Sequence, residues 1–438
     1  MSRVRFHRVL QLAGDRRELV RGLATLPLLG GAGLLLEEAD AAGRGQKGKA
    51  AQAEKKKRKL FCLNGAQVKA KHKKKKRRLQ RQGATRGKCP TIPCTPDSFA
   101  VTCAARCGTV KNNCSQNVDC GFATVPPVTA NVATFGASGS GPSDLDEPYS
   151  ITLTADELHA YISDYANNRV SIWSRPSTTS VTWSNLTTIS MSSTGPDGVT
   201  FSADELTMYV AYGDADSIGI WTRPNTGSLA WTEQTTMGSS GSGASDFNFP
   251  GKMVLSPDEL VMYIDDYFND RISVWSRANA NTNTWTNLTI IGSSGSGPDE
   301  LTNPADQLLT ADQLTMYIAD QGNNRISFWS RPDTSSQAWS NVTTLDADAG
   351  SGPYGLALAD NELTMWVANY DGHSVSVWSR PSTESLDWAI VESFGSFGSG
   401  NDEFNNPATV DLSADGSLLY IADNLNHRIS IWSQTCPA

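Results

Sequence analysis

Between Cys120 and Cys436 the chain has no cysteine, and nowhere does it carry an apolar run long enough to cross a bilayer. Its longest such run, Leu23 to Leu36, is broken by Pro27 and several glycines, and a spanning helix needs about 20 residues. A transmembrane span in the mature chain is therefore excluded from the expectations. Positive charge is scarce where most of the chain lies: residues 128–438 hold 10 Lys+Arg against 37 Asp+Glu, whereas residues 1–127 hold 27 against 8. The net charge of -8 hides a basic head on an acidic body. No G-x-S-x-G, Cys-His or phosphate-loop pattern occurs. The basic tract has no aromatic interleaving for base stacking, which argues against nucleic acid as its partner.

What is present begins with a leader. Arg3, Arg5, Arg8, Arg16, Arg17 and Arg21 precede the apolar run, and Ala39-Asp40-Ala41 follows it, so residues 1–42 read as an export signal. The string DRRELVR (15–21) resembles the twin-arginine export motif. Residues 43–88 are a Lys-rich, basic low-complexity segment that stays solvated and suits anionic cell-wall polymers. Residues 89–124 are a Cys-rich segment too small for a core of its own, which disulfides must staple. It has no His and no CxxC pair, so zinc fits poorly. The disulfide candidates are Cys62, Cys89, Cys94, Cys103, Cys107, Cys114, Cys120 and Cys436. The frame C-x-x-G-x-x-V followed by L-x-x-x-G-A-T-x-G-x-C resembles a small module of secreted bacterial proteins, and that resemblance implies pairing of Cys62 with Cys89. The six cysteines from Cys89 to Cys120 otherwise allow 15 pairings. Residues 125–130, with Pro126 and Pro127, read as a linker. The expected location is secreted or at the cell surface.

Residues 131–438 are a repeat. A Trp returns at Trp173, Trp221, Trp275, Trp329, Trp378 and Trp432, at spacings of 48, 54, 54, 49 and 54 residues. Each repeat parses into four short strands joined by turn residues; in the fourth they are 307–310, 316–320, 325–330 and 339–345. Six such units predict an all-β fold, a six-bladed β-propeller. The sixth repeat stops at Ile431-Trp432-Ser433, and its missing outer strand is found at 131–141, so an N-terminal strand is expected to close the ring. AD-x-x-N-x-R-I, at Asp320 to Ile326 and Asp423 to Ile429, and the loop GSGNDEFNNP (398–407) resemble the NHL repeat. Some propellers of that type are metal-dependent lyases or lactonases using His around the channel. Here His159, His373 and His427 fall at turns or outer positions, so the resemblance does not carry that set over.

The repeated Asp and Arg, such as Asp320 with Arg325, recur too often to be one catalytic site and read as blade architecture. Function is expected where the copies differ. One Pro begins each innermost strand. Residues three and five places on are apolar apart from Gln307 and belong to the core, while those two and four places on face the central channel. The candidate ligand-binding residues are Tyr149, Ser150, Thr152, Lys252, Asp306, Tyr354, Thr409 and Asp411, with Tyr149 and Tyr354 expected at the mouth on opposite blades. Asp/Glu-bearing loops at 142–148, 244–250, 297–301 and 400–404 would crown the same face, and Ca²⁺ is the cation such oxygens suit. The reading is an exported, non-enzymatic binding or scaffold propeller recognising a protein, glycan or cation. The alternative is a metal-dependent hydrolase or lyase, lactonase-like, with its site at the channel.

Overall fold

The computed structural model describes residues 128–435 except 348–349, together with the backbone of five short strands nearer the N-terminus. Of those five, Ala66–Ala70, Lys59–Leu63 and Thr85–Arg86 form a three-stranded sheet in that order, and Cys107–Lys111 pairs with Asn117–Phe122. The export signal, most of the basic segment and the pairing of the eight cysteines lie outside the described residues. Among those described, no helix is long and apolar enough to cross a membrane.

Six four-stranded antiparallel sheets follow, each a blade. Their innermost strands are Pro148–Leu153, Pro196–Phe201, Pro250–Leu255, Pro304–Leu309, Pro353–Leu358 and Pro407–Leu412. Each packs against the next, and the last packs against the first, so the ring is closed. Proline suits the first residue of each because it has no N–H to leave unpaired. Blade 6 takes its outer strand from the N-terminal side: Val128–Phe135 pairs with Arg428–Thr435, with Ile429 opposite Phe135. This strand begins inside the segment read as a linker, whose last three residues it recruits.

The core lies between blades. Ile172 and Trp173 are neighbours on one strand yet belong to separate clusters, Trp173 with Ile429 and Ile431 of blade 6, Ile172 with Val199 and Val210 of blade 2. Strand alternation sends successive side chains to opposite faces, and in a ring both faces are buried. Residues three and five beyond each Pro are buried as expected, Ile151 and Leu153 among them. The polar exception, Gln307, is fully buried and donates Nε2 to the carbonyls of Lys252 (3.0 Å) and Tyr263 (3.1 Å).

The Asp-Asn-Arg turn is a clamp on the long loop that precedes it. In blade 4, Arg325 Nε donates to Asp320 Oδ2 (2.6 Å), and its other nitrogens reach the carbonyls of Ser296, Gly297 and Glu300. Asn323 donates to both Asp320 oxygens and to Gly295 O. Blades 1, 3 and 6 repeat this set. The following residue is left-handed in every blade and bonds onward to the next. Asn168, Asp216, Asp270, Asn324, His373 and His427 each accept the N–H of the residue before the next blade's Pro.

A second cross-blade bond shows how the repeats compensate one another. Glu157, Glu205, Glu259 and Glu362 accept the N–H of Ala414, Ala155, Ala203 and Ala311, each in the blade before. Blade 4 has Gln313 at this place, and the blade before it presents Pro257, which has no N–H to give. Blade 6 has Gly416, facing Asp360. The pairing gives a double-mutant test. Pro257→Ala with Gln313→Glu is expected to be more stable, by about 1 kcal/mol, than the sum of the two single changes, read from urea unfolding midpoints.

Candidate functional site

A cavity of about 100 Å³ occupies the central channel. All six residues four places beyond the prolines line it: Thr152, Thr200, Val254, Leu308, Ala357 and Asp411. So do Lys252, Asp306 and Thr409 from two places beyond. It has room for several waters or a small polar group.

Lys252 is the only lysine after residue 127. Every arginine of the body serves the framework, four in the Asp turns and five beneath outer tryptophans. Lys252 is thus the one cation free of the repeat pattern, and among the described residues its Nζ forms no hydrogen bond or ion pair. Three aspartates stand around it. Asp306 is held by two backbone donors, Gln307 N on Oδ1 and Leu356 N on Oδ2, each at 2.8 Å. Asp265 Oδ1 accepts Gly251 N at 2.9 Å. Asp197 is 2% exposed and its Oδ2 has no partner. Gly251 lets the last two approach: a Cβ there would sit 2.8 Å from Asp265 Oδ2 and 3.3 Å from Asp197 Oδ1.

Burial pushes the Asp197 carboxyl up to about 7; Lys252 opposes this, and Asp306 and Asp214 add to it. Burial, then the charges of Asp197 and Asp306, raises Asp265 well above the ordinary range. Asp306 is raised by burial, while Lys252 and its two N–H donors pull it back. Burial thus holds all three carboxyls above their ordinary range, and Lys252 opposes the shift of each.

Above this cluster the mouth is aromatic. Tyr149, Tyr165, Phe249, Tyr267 and Tyr354 form a closed loop of rings, with successive centroids 5.0, 6.3, 6.0 and 6.5 Å apart and 6.1 Å from Tyr354 back to Tyr149. Tyr370 lies 5.1 Å from Tyr354. Tyr165, Tyr267 and Tyr370 come from alternate blades, and each hydroxyl bonds to the next blade, at Asp214, Gln321 and Asn424.

The expected site residues divide. Lys252, Asp306, Thr152, Thr409 and Asp411 line the cavity. Thr152 and Thr409 also stitch blades, donating to Val199 O (2.7 Å) and Tyr149 O (2.6 Å). Asp411 Oδ1 accepts Leu412 N. Ser150 is fully buried with its hydroxyl on Ser163. Tyr149 and Tyr354 are at the mouth, but on blades 1 and 5, which flank blade 6 rather than oppose each other; in a six-membered ring blade 1 faces blade 4. The loop carboxylates Asp144, Asp246, Glu300 and Glu403 each accept an N–H of their own loop. Among the described residues no group of three or more His, Cys, Asp or Glu is placed to hold a metal ion.

Asp197 shares with Tyr149 and Tyr354 the row directly after Pro, where the two aromatics drew the expectation of a mouth, and Asp265 lies one strand out from the rows that face the channel. Directly after Pro the six residues are Tyr149, Asp197, Gly251, Ala305, Tyr354 and Ala408, and one strand out they are Ser163, Ala211, Asp265, Ala319, Ala368 and Ala422. Each aspartate is the single acid in its row.

The fold and site define a six-bladed β-propeller with an ionisable channel under an aromatic mouth. Within it, residues 248–435 match the family model described as Lactonase, 7-bladed beta-propeller. That span covers less than half the chain, and the ring here has six blades rather than seven. The matching model belongs to the lactonase propellers; the NHL likeness rests on the turn motif and the loop at 398–407. No curated protein matches the chain. Among solved structures it is similar to a Bacteroides uniformis protein described provisionally as a 6-phosphogluconolactonase. The two are 15% identical with a TM-score of 0.51, over 68% of this chain and 91% of that one. A Lactobacillus plantarum protein matches at 15% identity and TM-score 0.50, over 66% and 87%. A periplasmic gluconolactonase of Pseudomonas aeruginosa matches at 15% and 0.49, over 68% and 91%. At these identities the first two show a shared fold and nothing further.

Proposed function

We propose that the chain is a lactonase-type hydrolase that opens a small lactone in the channel, which reverses the preference for a non-enzymatic scaffold. One observation carries it: the lactonase match spans the blades that supply Lys252, Asp265, Asp306 and Asp411, all of the channel's ionisable groups but Asp197. In this reading Asp306 accepts a proton from water as the water oxygen attacks the lactone carbonyl. The Lys252 ammonium stabilises the oxyanion that forms. The ring C–O bond then breaks, and Asp306 returns the proton to the departing alkoxide, giving a hydroxy acid. The channel donors do not fit a metal cradle, and no step is routed through one. The cysteine clustering supports an extracytoplasmic setting, and the basic segment supports attachment to anionic wall polymers.

The test is acid release from a panel of aldonolactones at constant pH. Lys252→Met and Asp306→Asn are each expected to lower kcat/KM at least 100-fold, about 2.7 kcal/mol of transition-state stabilisation. Hydrolysis by neither the 1,4- nor the 1,5-lactones above the spontaneous rate would return the chain to the binding-propeller reading.

A further inference from the structure

The aromatic mouth is not used by the proposed hydrolysis, and it carries a feature no repeat rule explains. Asp197 is buried beneath it with Oδ2 unpartnered. Its charge is among the influences that raise the hydroxyls of Tyr149, Tyr165, Tyr267, Tyr354 and Tyr370. Asp197 holds in blade 2 the place directly after Pro that Tyr149 and Tyr354 hold in blades 1 and 5, which puts it in the row of the mouth. We infer that the mouth is a binding site for a small organic ammonium ion, held by the ring of aromatic side chains with the Asp197 carboxylate as its counter-ion.

Geometry separates this ligand from a sugar. A saccharide stacks on one flat aromatic face. Here the five rings of the loop are tilted from their neighbours by 59°, 42°, 58°, 40° and 42°. Such rings do not form a common platform. A five-membered loop with these sides has its centre about 5 Å from each centroid, within the ~6 Å reach of cation–π attraction. A cation there also supplies the charge that Asp197 lacks. Lys252 cannot do so alone, because Asp306 competes for it. The excess of acid in residues 128–438 favours arrival of cations over anions.

The ligand class can be tested with the full chain by titration calorimetry, using choline and its uncharged isostere 3,3-dimethylbutan-1-ol. Choline is expected to bind one per chain, with the alcohol at least tenfold weaker. Asp197→Asn and, separately, Tyr354→Leu should each weaken choline at least tenfold, while thermal melts confirm that both variants are folded. Equal affinity for the two probes, unchanged choline binding in Asp197→Asn, or no heat with choline at about 10 mM, a Kd corresponding to only ~3 kcal/mol, would overturn the assignment. So would binding of glucose in place of choline. The inference does not rest on the hydrolase reading: choline binding is read by calorimetry and lactone opening by acid release, so either can fail without the other.

Discussion

Deleting residues 128–136 is expected to lower the melting temperature by more than ~10 °C. The segment is the outer strand of the last blade, not an appendage to it. Its register with Arg428–Thr435 runs from Phe135 against Ile429 to Val128 against Thr435, broken by one bulge between Ile431 and Trp432. Asn131 Nδ2 donates to Ser430 Oγ at 2.7 Å, and the same hydroxyl receives Trp432 Nε1. Phe135 packs 4.8 Å from Trp173 and 5.7 Å from Trp183, so one side chain ties blade 6 to blade 1. Removing the strand exposes a sheet edge and empties a place in a close-packed core, where a lost Phe alone costs about 3–5 kcal/mol. For a domain of this size each kcal/mol moves the midpoint by about 2–4 °C. An unchanged calorimetric melt would mean that the ring is closed by other contacts.

The deletion also marks how much was legible beforehand. Blade number, strand order and the closing strand could all be read, because repetition supplies six chances to see each signal. Register was fixed by two residues with hard physical meaning, the Pro that opens each innermost strand and the Trp of the third. The boundary at Val128 was missed by three residues, since Val128-Thr129-Ala130 carries no turn residue to separate it from the strand.

The same repetition explains what was hard to see in the site. Residues that recur are architecture, and comparing copies removed the Asp-Asn-Arg turn from consideration. The sequons at Asn185, Asn287 and Asn341 go the same way: each amide donates to the serine that also receives the blade's Trp. But a channel is built by more than two rows of side chains. Lys252 and Asp306 lie in rows that face the channel, whereas Asp197 stands among the tyrosines of the row directly after Pro and Asp265 belongs to the second strand. That the four meet depends on Gly251, whose missing side chain makes room for two carboxyls. Its importance is spatial and has no trace in composition or period.

Asp197 should also govern how stability varies with pH. Its folded-state pKa is raised to about 7, against an ordinary 3.8, chiefly by burial. A carboxyl raised in this way stabilises the fold fully below its unfolded pKa, and the contribution is lost as pH rises through the folded value. The window is therefore about pH 4 to 7. The shift corresponds to about 4 kcal/mol of stability present at the acid end and absent at pH 8. Asp197→Asn keeps the shape and removes the ionisation. At pH 8 the variant is expected to be the more stable by about 4 kcal/mol, a rise in midpoint on the order of 10 °C. Near pH 4, where the parent carboxyl is protonated, the two should melt together. Taking the difference between variant and parent cancels the other carboxyls, whose titrations the two proteins share, apart from Asp265, Asp306 and Asp214, which are coupled to Asp197. A difference in melting temperature that is constant from pH 4 to 8 would show that the Asp197 carboxyl is not raised by burial into this window and would overturn the prediction.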